Sequence, residues 1–291
     1  MTRLSWLLLA ALCLVAFSGC SMVRLGYNQL DSYAEWKADD YFDLEPGQKQ
    51  EFAKRFERLH RWHRYEQLPD YAAFLGAVEG RLKKGPTRED VLWVMEGVKQ
   101  RYRVIVNRSA DDAAAMLMTV TPVQLDALRK QWEKDNRRFI REYRLDKDID
   151  EQKHAHADRI VSRIRDWIGH LDDDQEKQIV AWAIQHPLIH GMRYDDRLRR
   201  QREFLQLLAQ RKDPREFAAK LGHWLANWEE GRDPRFDRRI REWEQKQVDF
   251  YLEVYRLLLP QQRAAVIERV RDYAKDFTRL ARPEAETAAN R

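Results

Sequence analysis

Cysteine is nearly absent: the 291-residue chain has two, Cys13 and Cys20, both close to its start. No disulfide framework or cysteine-based metal site can be built from them over the remaining length. Glycine (11) and proline (9) are scarce, and no stretch alternates apolar and polar residues between turn dipeptides, which argues against a strand-rich domain. The longest apolar run, Leu4 to Phe17, falls short of the roughly 20 residues a membrane-spanning helix needs. Catalytic signatures are missing too. There is no Gly-x-Ser-x-Gly elbow, no HExxH pair and no glycine-rich phosphate loop, and the serines after Cys20 are only Ser21, Ser32, Ser109 and Ser162. No cofactor is expected.

What the chain does have is charge of both signs, at 35% of residues, and aromatic bulk, with 10 Trp. That combination marks a folded protein with solvated helix faces, not a disordered one. Against 48 acids stand 53 Lys and Arg, and only Arg3 lies before Cys20. The mild excess is not a nucleic-acid balance.

The amino terminus has the parts of a secretory signal: one early cation, Arg3, a short apolar run, and small residues ahead of Cys20. Phe17-Ser18-Gly19-Cys20 resembles a bacterial lipobox. The resemblance implies cleavage between Gly19 and Cys20, a diacylglycerol on the Cys20 thiol and an acylated amino terminus. Residues 1–19 would then be a removed leader, 20–26 a lipidated tether, 27–281 a helical domain and 282–291 a flexible tail. Ser21, where enteric inner-membrane lipoproteins carry Asp, implies through that resemblance the periplasmic face of the outer membrane, the inner membrane being the alternative because the rule varies between bacteria, with the membrane itself a partner through the anchor.

Helical spacing runs through the rest. Leu30, Tyr33, Ala34 and Tyr41 recur at helix intervals, as do Phe52, Phe56, Leu59 and Trp62 before a stop or bend at Leu68-Pro69. Further helices are expected over 71–82, from Thr87 to about Val106, over a separate short 109–118, and over 121–143, 149–168, 175–185, 195–210, 214–228, 234–259 and 260–280. Asp213-Pro214 and Asp233-Pro234 mark helix starts, since Asp caps and Pro suits the first turn. The fold class is all-α: a multi-helix bundle of about ten helices, either continuous or divided into two helical subdomains near 146–151.

One pattern recurs four times. Leu44, Val120, Leu171 and Leu258 are each followed four residues later by glutamine, at Gln48, Gln124, Gln175 and Gln262. Each copy opens an expected helix, with the aliphatic residue at N′ and Gln at N3, reaching back to the N-cap amide. The intervals are too irregular for a solenoid.

The blocks Arg24-Leu25-Gly26-Tyr27-Asn28-Gln29-Leu30, Asp39-Asp40-Tyr41-Phe42-Asp43-Leu44, Leu59-His60-Arg61-Trp62-His63-Arg64 and Leu68-Pro69-Asp70-Tyr71 resemble the bacterial DUF6279 lipoproteins. That resemblance implies a lipoprotein and supplies no catalytic residues. Val120-Thr121-Pro122-Val123-Gln124 is similar to the LTxxQ helix start of the Spy and CpxP periplasmic chaperones, which implies an α-helical cradle for unfolded or envelope clients.

Candidate binding residues are Asp39, Asp40, His60, Trp62 and His63. The acids sit where two helices should meet, and can equally serve to place negative charge at a helix N-terminus. His60 and His63, three apart, could share a metal with Glu57 or Glu66, or simply bond within a packed helix. His154/His156 and His186/His190 are poorer pairs. The basic stretches 193–202 and 232–241 are interleaved with acids, which favours salt pairing at helix spacing over contact with lipid headgroups. Trp224 and Trp228, with Leu221 and Leu225, read as core or as the wall of a client groove. The expected function is non-enzymatic binding of protein clients or envelope partners, without nucleic acid; the alternative is an envelope hydrolase or metal-dependent enzyme centred on Asp39, Asp40, His60 and His63.

Overall fold

The computed structural model describes residues 22–282; Gly19 and Cys20, with the expected cleavage and lipidation, lie outside the described residues. Twelve α-helices and no strand make up those residues: α1 Met22–Asn28, α2 Leu30–Phe42, α3 Pro46–Trp62, α4 Leu68–Lys84, α5 Arg88–Met118, α6 Pro122–Tyr143, α7 Ile149–Ile168, α8 Asp173–Gln185, α9 His190–Ala209, α10 Pro214–Ala226, α11 Pro234–Leu257 and α12 Pro260–Leu280. None is long and apolar enough to cross a membrane.

Most starts follow their capping signals. Thr87, Thr121, Asp172 and Asp213 each accept a hydrogen bond from the backbone N–H three residues on, and Pro214 and Pro234 occupy the first helical turn as expected. Met22 to Gly26, within the expected tether, is helical. Of the stop or bend expected at Leu68-Pro69, the stop does not occur: a π turn over His63–Gln67 carries α3 into α4, widening the ladder where proline has no N–H to give. Two further expectations are corrected. Residues 109–118 are not separate but complete the 31-residue α5. There Val106, Ala110 and Ala114 are buried at four-residue spacing and face α10, where a Cβ on Gly222 would come within 3.1 Å of Ala110. Finally α9 begins at His190 rather than Asp195, because the His190 ring stacks on Tyr143 with centroids 4.1 Å apart.

Helix α4 lies along α12, α10 along α5, and α11 also packs on α5. These contacts cross the 146–151 segment. One buried cluster, Val161, Leu171, Ile179, Phe250, Val254 and Leu258, comes from the second half; another joins Ala114 to Leu208, Phe217 and Leu221. A continuous bundle accounts for both.

The four glutamine motifs meet in pairs. Gln48 Nε2 donates to Gln124 Oε1 at 3.2 Å and Gln124 Nε2 to Gln48 Oε1 at 2.5 Å. Gln175 and Gln262 do the same at 2.8 and 2.9 Å. Each amide also donates to a carbonyl two residues before its partner's N-cap: Thr119, Asp43, Leu257 and His170. Each Oε1 accepts its own N-cap amide, from Glu45, Thr121, Asp172 and Leu259. The aliphatic residue beside each is 1–7% exposed. Two hairpins, α2/α3 and α5/α6, are thus tied at one latch, and α7/α8 and α11/α12 at another.

A hydrogen bond of this kind contributes about 1 kcal/mol net, whereas stranding one buried amide costs about 1–3 kcal/mol. Gln175→Leu and Gln262→Leu should therefore each destabilise the protein by about 2–4 kcal/mol, while the double variant costs clearly less than their sum. Urea unfolding of the three variants measures this; additive costs would show that the two amides act independently.

Candidate functional site

Asp39 and Asp40 stand at the end of α2. Asp39 Oδ1 accepts the Leu44 N–H at 3.0 Å while Oδ2 pairs with Lys49 at 2.8 Å, and the lysine holds its carboxyl below the usual range. The following turn reverses the chain through Asp43, whose φ of 49° is left-handed. Asp40 accepts Gln131 Nε2 at 3.0 Å and lies 3.4 Å from Lys37. Beside them the Tyr41 hydroxyl donates to buried Asp135, which also pairs with Arg138; burial, then this bond, push the phenol up to about 12.

His60 and His63 occupy the far end of the hairpin. From Pro46 to His60 the helix rises about 20 Å at 1.5 Å per residue, so acids and histidines do not converge. His60 Nδ1 meets Asp31 at 2.7 Å, with the ring 4.6 Å from that of Tyr27. His63 Nδ1 meets the Tyr27 hydroxyl at 2.8 Å, and its ring is edge-on to Tyr71. Burial holds His63 below the ordinary histidine range and pushes the Tyr27 phenol up. Trp62 is half-buried beneath Arg108, 5.8 Å from its ring. No group of three or more His, Cys, Asp or Glu is placed to hold a metal among the described residues.

The basic stretches are largely paired: Arg199 with Asp196 and Glu203, Arg235 with Asp233, and Arg239 with Glu242, at 2.5–2.8 Å. Trp224 donates to Glu203 at 3.0 Å under the Arg200 guanidinium.

The concave feature nearest the chosen residues lies instead under the first latch. A cavity of about 340 Å3, open on one side, is lined by α2, α3, α5, α9 and α10, with Leu44 and Val120 of the latch, Phe52, Phe56 and Leu225 in its wall. At its edge Asp112 is neutralised by Arg55 at 2.6 Å and Arg58 at 3.0 Å. The wall is otherwise almost all carbon. Such a surface can hold an apolar group; the polar side chains in its lining are Ser109 and the Arg55–Asp112 pair. Periodicity indicated these apolar residues as core; the space between them depends on where α10 crosses α5, which no local signal encodes.

No curated protein and no solved structure gives a significant match to this chain. The sequence profile of a family of unknown function, DUF6279, matches residues 40–236. That range takes in the blocks from Asp40 to Tyr71, leaves out Arg24 to Leu30, and reaches well past both latch residues Gln124 and Gln175. With about two thirds of its length inside the match, the chain belongs to DUF6279.

Proposed function

We propose that this protein is a lipid-anchored binding module of the bacterial envelope, held by Cys20 at the periplasmic face of the outer membrane and acting without catalysis. The observation that carries the reading is the carbon-walled cavity under the first latch. Its occupant would be an apolar side chain of an unfolded or envelope client, the class that the LTxxQ resemblance implies. The enzymatic alternative requires Asp39, Asp40, His60 and His63 at one centre, and the hairpin holds them at opposite ends.

A second observation supports the anchor. Met22, Leu25, Tyr33 and Trp36, all more than half exposed, recur at helical spacing along α1 and α2, directly after the lipidation position. An exposed apolar stripe there suits the interface of a bilayer. Three acyl chains, at about 0.8 kcal/mol per buried methylene, would hold the chain there essentially permanently.

Two measurements test this reading. Cys20→Ala should abolish acyl mass and move the protein from the membrane to the soluble fraction with its far-ultraviolet circular dichroism unchanged; acyl chains persisting on that variant would remove the anchor claim. Ala113→Phe, which fills the cavity from α5, should weaken suppression of aggregation of a reduced, unfolded model protein several-fold, at a stability cost of about 1–3 kcal/mol. Unaltered suppression by a folded Ala113→Phe protein would dismiss the cavity as the client site.

A further inference from the structure

A second cavity, of about 540 Å3, opens among the end of α6, α7, the start of α9 and α11. Its charge is one-sided. Arg159 and Arg163 on α7 and Arg193 on α9 line it, and no Asp or Glu does. In a chain whose arginines are mostly matched with acids, none of these three forms an ion pair among the described residues. Arg159 donates to the Glu142 carbonyl at 3.0 Å and lies 5.0 Å from the Tyr143 ring, while its Nη2 is buried without a hydrogen-bond partner. Arg193 faces the same ring at 6.0 Å.

Histidines complete the polar end. His190, 9% exposed, lies with Nε2 3.5 Å from His156 Nδ1, and both His190 Nδ1 and His156 Nε2 are buried without partners. Burial, reinforced by each other or by His186 and by the nearby arginines, pushes His156 down to about 4 and His190 to about 3. Both rings are therefore neutral near pH 7 and each carries one N–H; their mutual contact uses one of the two, and with His156 Nδ1–H donating to His190 Nε2 the other is left at His190 Nδ1, facing the cavity. His186 packs behind them, 6.1 Å from His156; neither of its ring nitrogens has a partner of good geometry, although the Pro187 and Lys246 carbonyls lie close enough to oppose the burial that lowers it. Much of the remaining lining is hydrocarbon, from Ile160, Ile164, Phe250, Val254, Leu258 and Val266, with Gln247, Tyr251 and Tyr255 among them.

Arg163 and Arg193 are exposed and solvated, but the buried Nη2 of Arg159 beside the unpartnered ring nitrogens of His156 and His190 is costly unless something polar meets it, and an acid would suit it best. A metal cation would be repelled by three arginines. A free inorganic anion would use the arginines and leave the apolar wall idle, and a neutral hydrocarbon would do the reverse. We propose that this cavity binds a single-chain amphiphilic anion, its acidic headgroup on Arg159, Arg163, Arg193 and His190 and its acyl tail along Ile160, Ile164, Phe250 and Val254. A long-chain carboxylate and a monoacyl phosphate share that chemistry. The inference stands on a different cavity from the client site and does not depend on it.

The test is photolabelling of the purified full-length protein, in a non-ionic detergent, with a diazirine-bearing long-chain carboxylate, mapped by peptide mass spectrometry. Label should concentrate on α7 and α11 and be competed by dodecanoate and dodecyl phosphate, but by neither dodecanol nor inorganic phosphate. Whichever acid competes at the lower concentration assigns the headgroup. Arg163→Gln with Arg193→Gln, both exposed positions, should cut labelling about tenfold, with circular dichroism confirming the fold. Ile164→Trp should reduce it by obstructing the tail. Label scattered over the surface, equal competition by dodecanol, competition by inorganic phosphate alone, or labelling indifferent to the arginine substitutions would each overturn the proposal.

Discussion

Two glutamine pairs hold this bundle in register. A glutamine at N3 of a helix ordinarily closes its own capping box; here its remaining N–H groups reach across to a second glutamine and to the carbonyl beside that partner's cap. The amide–amide bond, the cross-bond to a carbonyl and the bond to the N-cap amide are made by both members of each pair. Because the amides are largely buried, the alternative to pairing is not water but an unsatisfied group. Each latch therefore joins helix starts separated by 76 or 87 residues and fixes where four helix ends come together.

Both cavities are built against these latches, yet with opposite chemistry. Leu44 and Val120, the aliphatic partners of the first pair, line a cavity whose nearby acid is matched by Arg55. Leu258, from the second pair, lines a cavity whose three arginines form no ion pair among the described residues. One architecture thus presents a neutral apolar recess and a cationic amphipathic one. A protein held by acyl chains would meet apolar client segments and acidic amphiphiles at the same surface, which is where both recesses would be useful.

The helical class, most helix starts and the positions of all four glutamines at N3 were legible because capping and periodicity are local. The pairing of the glutamines was not, since intervals of 76, 51 and 87 residues conceal which copy meets which. The separate helix expected over 109–118 rests on a stretch rich in Ala with two Asp, Asp111 and Asp112, near its start; the buried stripe Val106, Ala110, Ala114 instead carries the preceding helix straight through it. Asp39, Asp40, His60 and His63 looked like a constellation because they are close in sequence; a helical hairpin separates residues on its two ends by the length of a helix. Conversely, the histidines that do meet, His156, His186 and His190, were divided between two unpromising pairs, and only the packing of α8 against α7, which brings the α8–α9 connection beside His156, joins them.

The most direct measurement of the central claim is native-state hydrogen exchange resolved at the four N-cap amides, Glu45, Thr121, Asp172 and Leu259, each donated to a latch glutamine. If the latches organise the bundle, Glu45 and Thr121 exchange with one opening free energy, Asp172 and Leu259 with another, and replacing Gln262 with Leu lowers protection at Asp172 as much as at Leu259. Independent exchange within a pair, with Asp172 unaffected by Gln262→Leu, would contradict the account.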